Sequence, residues 1–299
     1  MERRQFGKTD MQVIVLGLGG AEIGFDKADD ATTTTLLHDA LDAGLNVIDT
    51  AECYLDSEEK IGRALAGRRG DFHLFTKCGH PDGSTSPANW ETASLLASMD
   101  RSLNRLQTDH VDLIQLHSCS ESELRKGDVI AALQAMKAKG QARYIGYSGD
   151  GAAALYAIEC GAFDSLQTSV SFLDQESIDL TLGKARDRGM GVIAKRPIAN
   201  AVWRYASKPA NKYHLTYWDR LQAFMTEFPG PDSEQFASTA LRFTLGLTGI
   251  NTMIVGTSNP RRWAENAAIV AQGPLPRVQS DVIRKRWSEV ADASWVGQT

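Results

Sequence analysis

Short apolar or β-branched runs recur along the chain: VIVLGL, NVID, FHLFTK, VDLIQLH, ARYIGYS, SLQTSV, GVIAKR and NTMIVG. Each precedes a longer stretch with apolar residues at helical spacing, as in TTTTLLHDALDAG, SEEKIGRALAG, NWETASLLASMDRSLNRL, VIAALQAMKAKG and ESIDLTLGKARDRG. Several of these stretches close on glycine, which ends a helix without steric cost. Strands that alternate with helices over such connections pair in parallel, and eight of them predict closure into a (β/α)8 TIM barrel over residues 1–299, a single domain. An open doubly wound sheet is the alternative. The first run argues against it, because GLGGAEIG has glycines without the GxGxxG phosphate-binding spacing.

Two segments fall outside the repeat. The opening RRQFGKTDMQVIV predicts a β-hairpin turning near GKTD and capping the barrel. From Pro197 to about Glu234 the pattern predicts a long loop after the seventh strand, and loops of that length in compact domains usually serve as lids or binding loops. It carries Trp203, Tyr205, Tyr213, Tyr217 and Trp218, which either pack the loop onto the barrel or touch a ligand.

Composition narrows the function classes. Apolar residues at 42% and charged residues at 23% supply an ordinary core, and 32 basic against 37 acidic side chains give a net charge of -5. No long Lys or Arg run accompanies it, so a nucleic-acid partner is not expected. No eighteen apolar residues run together, so no membrane span is expected. RRQFGK superficially resembles a twin-arginine export signal, but the apolar run after it is short and broken by glycine, which leaves a cytoplasmic location as the expectation. Cys53, Cys78, Cys119 and Cys160 have neither zinc-site spacing nor secreted disulfide density, and no metal is expected.

The chemistry gathers where the strands end. In a parallel barrel the active site forms at the carboxyl ends of the strands, and successive runs end in Asp49, Lys77, His117 and Ser148, with Gln167 inside the sixth and Lys195 and Arg196 closing the seventh. A carboxylate, an ammonium and an imidazole on three successive strands point to acid–base work. Tyr54 hangs just beyond Asp49. Its phenol titrates near about 10, and an adjacent ammonium would lower that value toward working pH. Asp49 would hold Lys77, Lys77 would tune Tyr54, and Tyr54 would protonate an oxygen becoming negative, with His117 orienting the carbonyl or sharing the proton transfer.

The pieces NVIDTAECY, FTKCG, DLIQLH, YIGYSG, LQTSVSF and IVGTSNPRRWAEN resemble the aldo-keto reductases, in this order and over nearly the whole chain. The resemblance implies an NADPH-dependent reductase of aldehydes or ketones, with Asp49, Tyr54, Lys77 and His117 as the catalytic tetrad and Tyr54 as general acid. It implies that Ser148 and Gln167 hold the nicotinamide carboxamide, that Thr257 and Arg262 hold the 2'-phosphate, and that Glu265 and Asn266 meet the adenine. Gly20, Lys195, Arg196, Pro197 and Gly256 complete the expected NADPH/NADP surface. The GTSNPRRWAEN segment fits this role, because Asn259 and Pro260 look like a helix start and barrel phosphate sites lie after the last strands; the alternative is a solvated helix whose Arg262 makes a surface pair. Two departures stand out: Gly149 follows Ser148 where many relatives carry Asn, and Lys195 replaces the aromatic that often stacks on nicotinamide. The expected partner is a small carbonyl or alcohol substrate, and the sequence is silent on oligomeric state. Two rival functions remain, a Schiff-base carbon–carbon lyase using Lys77 or Lys195, and a non-catalytic nucleotide-sensing subunit.

Overall fold

A computed structural model describes residues 1–81, 83, 86–225 and 235–298. Strands β1 (Arg3–Gln5) and β2 (Gln12–Ile14) form the antiparallel hairpin. Eight parallel strands then close in chain order: β3 (Leu16–Gly19), β4 (Val47–Asp49), β5 (His73–Cys78), β6 (Val111–His117), β7 (Ala142–Ser148), β8 (Ser165–Ser169), β9 (Gly191–Lys195) and β10 (Thr252–Gly256), with β10 pairing back onto β3. The run VIVLGL thus serves two strands: its first part pairs in the hairpin, and after Val15 the chain enters the barrel.

Alternation decides what fills the interior, since every second residue of a strand faces inward. Val47, Phe75, Leu113, Ile193 and Ile254 meet Phe6, Met11 and Val13 of the hairpin in one buried cluster. Phe6 stacks on Phe75 with centroids 5.6 Å apart, so the hairpin plugs the amino-terminal end and the site can open only at the other. The larger core lies between the strands and the surrounding helices, whose apolar stripes (Leu36, Leu37, Ala40 and Leu41 on helix Asp30–Asp42, for example) face the barrel wall. Asp29 starts that helix by accepting the Thr32 amide at 2.7 Å, an N-cap of the usual kind.

The long excursion after β9 is present but is more ordered than its loop-like composition suggests. It contains a 3-10 segment, Ala199–Arg204, and a helix, Lys212–Met225, whose Tyr217, Leu221 and Phe224 recur at helical spacing and pack with Phe172 and Phe236. Residues 226–234, the end of the predicted loop, lie outside the described residues. Among the described residues no helix is long and apolar enough to cross a membrane.

Candidate active site

Above the apolar plug the inward positions turn polar. The Lys77 ammonium donates to Asp49 Oδ1 and, at 2.8 Å, to the Thr50 carbonyl. Asp49 also accepts from Gln115 Nε2 at 3.2 Å and Gln167 Nε2 at 3.3 Å, and Gln115 Nε2 donates to Gln167 Oε1 at 2.9 Å. All four side chains are buried. A carboxylate taken out of water must be met by a counter-charge and by donors, and this layer supplies both. Room for the Gln115 side chain comes from Gly146 on β7: a Cβ there would overlap Ser165 Oγ and press on Gln115 Cγ at 3.1 Å.

Tyr54 hangs over this layer on a loop that continues the pairing with β5, the Thr50 amide donating to the Phe75 carbonyl at 2.9 Å and the Glu52 amide to the Lys77 carbonyl at 3.3 Å. The loop is clamped from behind. Buried Glu52 accepts from Ser98 Oγ and from Arg101 Nε at 2.6 Å, and neighbouring Glu58 accepts from Thr76 Oγ1 at 2.6 Å. The Tyr54 ring has Lys77 Nζ 5.2 Å from its centroid, Phe25 at 5.7 Å, and His117 edge-on at 5.8 Å with planes at 84°. His80 continues the aromatic wall, 5.8 Å from His117 and 5.1 Å from Trp90. The four residues of the predicted tetrad therefore share one mouth.

One expectation about them does not hold. Burial, then the Asp49 carboxylate, push the Tyr54 phenol well above the ordinary tyrosine range, where Lys77 was expected to draw it down. The physical reason is that Lys77 directs its charge into Asp49 and the Thr50 carbonyl. Tyr54 consequently keeps its proton at neutral pH. His117 goes the other way: burial, then the charge of Lys77, hold its imidazole well below the usual histidine range, so it is neutral.

The predicted cofactor residues at the strand ends are differently engaged. Ser148 Oγ is buried with no hydrogen-bond partner among the described residues. Gln167 is committed to Gln115 and Asp49. Lys195 pairs with Asp150 Oδ2 at 3.0 Å and donates to the Gln298 carbonyl at 3.1 Å, while Arg196 donates to that carbonyl and to the Tyr213 hydroxyl at 3.3 Å. Pro197 is buried below them. Gly20 is explained by packing, since a Cβ there would crowd Ser57 Oγ at 2.8 Å. At Gly256 a Cβ would overlap the Glu22 carboxyl, which lies across the end of β10; burial, then Asp26, raise Glu22 to about 7.

Beyond β10, Thr257 Oγ1 accepts the Asn259 amide at 3.0 Å and Asn259 Oδ1 accepts the Arg261 amide at 3.0 Å. The helix begins at Arg262, not at Asn259–Pro260, because these side chains hold a turn ahead of it. Arg262 pairs with Glu265 at 2.7 Å, both about half exposed, which is the surface-pair alternative for this arginine. Asn266 is buried rather than presented to the rim. Of the excursion's aromatics, Tyr217 and Trp203 pack inward, Tyr217 donating to Asp174 at 2.8 Å and Trp203 stacking on Phe236, whereas Tyr213 reaches the rim at Arg196.

Sequence reading missed Gln115, Asp150, Glu22 and the Cys53–His117 contact. Gln115 had a signal: it lies two residues from His117 on the strand, hence on the same face. Glu22 lies in the short helix Ala21–Phe25 just after β3 and Asp150 just beyond β7, where strand periodicity no longer marks direction.

A closed (β/α)8 barrel with a Tyr, a Lys–Asp pair and a His at one mouth defines a class of oxidoreductase. The chain belongs to the aldo/keto reductase family, whose family model matches residues 14–287. Among curated proteins it is 28% identical over 292 residues to an L-galactose dehydrogenase of Arabidopsis thaliana, covering 91% of this chain and 89% of that protein. It is 33% identical over 153 residues to an uncharacterized oxidoreductase of Bacillus subtilis, a match spanning 50% of this chain and 49% of the other. Among solved structures, the holo form of an aldo-keto reductase from Bacillus halodurans superposes with a TM-score of 0.80 at 26% identity, covering 96% of each chain.

Proposed function

We propose that this enzyme is an NADPH-dependent reductase of aldehydes or ketones, working reversibly, in which Tyr54 is the general acid. The observation that carries the reading is the convergence of Asp49, Lys77, Tyr54 and His117 on one mouth above a buried polar layer. The cofactor fits an independent feature: the buried, partnerless hydroxyl of Ser148 at the end of β7 is ready to meet an amide such as the nicotinamide carboxamide. Lys195, Arg196, Thr257 and Arg262 are the donors for its phosphates, and Arg262 would exchange Glu265 for the 2'-phosphate.

A bound NADPH supplies the hydride. Everything else falls to the chain. His117, neutral, donates to the carbonyl oxygen and polarises it without adding a charge to the mouth. Tyr54 holds its proton until negative charge develops on that oxygen, and an alkoxide is basic enough to take it even from a phenol of raised pKa. The phenolate that remains faces Lys77, which Asp49 holds in place. The aromatic wall of Phe25, His80 and Trp90 limits water at the reacting oxygen.

The test is NADPH oxidation followed at the nicotinamide absorbance with a panel of aldehydes, ketones and sugars. Turnover with at least one carbonyl is expected, and tight NADPH binding without turnover on any would favour a sensing role. The Schiff-base alternative has one observation behind it, since burial draws Lys195 below the usual lysine range. Against it, Asp150 holds that ammonium at 3.0 Å. Borohydride trapping of a carbonyl on Lys195, with no nicotinamide required, would replace the reductase reading.

A further inference from the structure

His117 can polarise a carbonyl only if the ring nitrogen facing the mouth carries the hydrogen, and a neutral imidazole has a single N–H. What sets the tautomer is the partner of the other nitrogen. Nδ1 of His117 lies 3.5 Å from Sγ of Cys53, the residue immediately before Tyr54. Nε2 makes no hydrogen bond among the described residues, which leaves it for a ligand. We propose that Cys53 is a positioning residue: its S–H donates to Nδ1 of His117, fixing the Nε2–H tautomer that presents a hydrogen to the substrate oxygen.

The direction of that bond follows from the two groups. An imidazole lone pair is a good acceptor and a thiol sulfur a poor one, so S–H donating to Nδ1 is favoured over Nδ1–H donating to sulfur. Burial pushes the Cys53 thiol up to about 11, so the sulfur carries the required hydrogen, and the neutral imidazole offers the lone pair. Neighbouring geometry leaves the ring little choice of pose: Tyr54 packs edge-on against it and His80 lies 5.8 Å away. Because Cys53 and Tyr54 are adjacent on one clamped loop, the loop that carries the acid also sets the orienter. The catalytic consequence rests on the carbonyl-reductase reading; the tautomer does not.

The experiment is nitrogen NMR of histidine-labelled protein, wild type, Cys53→Ala and Cys53→Ser, together with steady-state kinetics of carbonyl reduction. Wild-type His117 is expected as the Nε2–H tautomer, Cys53→Ala as a mixture of both, and Cys53→Ser, which keeps a donor, as wild type. Cys53→Ala should lower kcat for the carbonyl about tenfold, within the range of one lost oxyanion-type donor or less, with the KM for NADPH unchanged, and Cys53→Ser should restore most of it. An Nδ1–H tautomer in the wild-type protein overturns the proposal, as does a Cys53→Ala spectrum identical to wild type. If the wild-type protein reduced no carbonyl, the function above would fail, and the spectra alone would still decide the role of Cys53. Should Cys53→Ala not fold, Cys53→Val, which fills the space without a donor, takes its place: a mixture of tautomers supports the proposal and a spectrum identical to wild type overturns it.

Discussion

Two lysine–aspartate pairs stand at the mouth of this barrel, Lys77–Asp49 buried at both partners and Lys195–Asp150 partly exposed at its lysine, and they differ in their third neighbour. Lys77 meets Asp49 and the Thr50 carbonyl, beneath the ring of Tyr54. Lys195 meets Asp150, which itself accepts from Thr168 Oγ1 at 2.6 Å, the Ser169 amide at 2.6 Å and Ser169 Oγ at 3.0 Å, and Lys195 also donates to the Gln298 carbonyl at 3.1 Å. The first pair is fixed by groups inside the barrel and stands beneath the ring of Tyr54, the proposed acid. The second is held partly by the carboxy-terminal segment, where Val296 accepts from Arg220 at 2.6 Å and the Gly297 amide donates to Glu176 at 2.7 Å. Both lysines lie at or next to the carboxyl end of a strand and both meet an aspartate, so the difference between them lies in what stands beside the ammonium.

The largest expected effect tests the first pair. Tyr54→Phe removes the proton that the pair serves and should lower carbonyl reduction by about 10²–10⁴-fold while NADPH affinity by fluorescence titration stays near wild type. Unchanged turnover would take Tyr54 out of the mechanism. Next, Lys77→Met and Lys195→Met separate the pairs. Each orphans a buried carboxylate, so urea unfolding should show a loss of about 3–5 kcal/mol for either. Only Lys77→Met should also remove turnover, whereas Lys195→Met should leave kcat near wild type and raise the KM for NADPH; equal loss of kcat in both would erase the distinction drawn here.

Smaller effects sharpen the cofactor side. Arg262→Ala should weaken NADPH about tenfold, the scale of a charge-assisted bond to phosphate, and NADH hardly at all; equal weakening of both would leave Arg262 as the partner of Glu265 only. The smallest effect concerns Glu22. Its folded pKa of about 7 lies above the ordinary carboxyl value, so it is mainly neutral at pH 6 and charged at pH 8. A charge appearing beside the end of β10 opposes the cofactor's phosphates, so NADPH affinity should fall a few-fold, on the order of threefold, as pH rises across that window. Glu22→Gln should flatten the dependence, and a wild-type affinity constant from pH 6 to 8 would remove Glu22 from the cofactor side.

Much of this was legible in the chain. Short apolar or β-branched runs gave all eight barrel strands to within a residue or two, except that VIVLGL also contains the second hairpin strand, because a continuous apolar run does not show where a chain changes sheet. Asp49, Lys77 and His117 could be placed at one rim because strand ends share a rim once the barrel is closed, and Tyr54 by the short loop after β4. The helix Lys212–Met225 was obscured by its aromatics, which suggested a ligand-binding loop although Tyr217, Leu221 and Phe224 keep helical spacing.

By itself, then, the sequence determined the barrel, the face on which chemistry gathers and the residue types gathered there, because side-chain alternation and strand ends are properties of local order. Only the tertiary structure decided what each group does with its charge. Lys77 is spent on Asp49, Tyr54 keeps a raised pKa, Cys53 reaches His117 from 64 residues away, and Ser148 is left without a partner. Those outcomes depend on burial and on distances between residues remote along the chain, which no local pattern encodes.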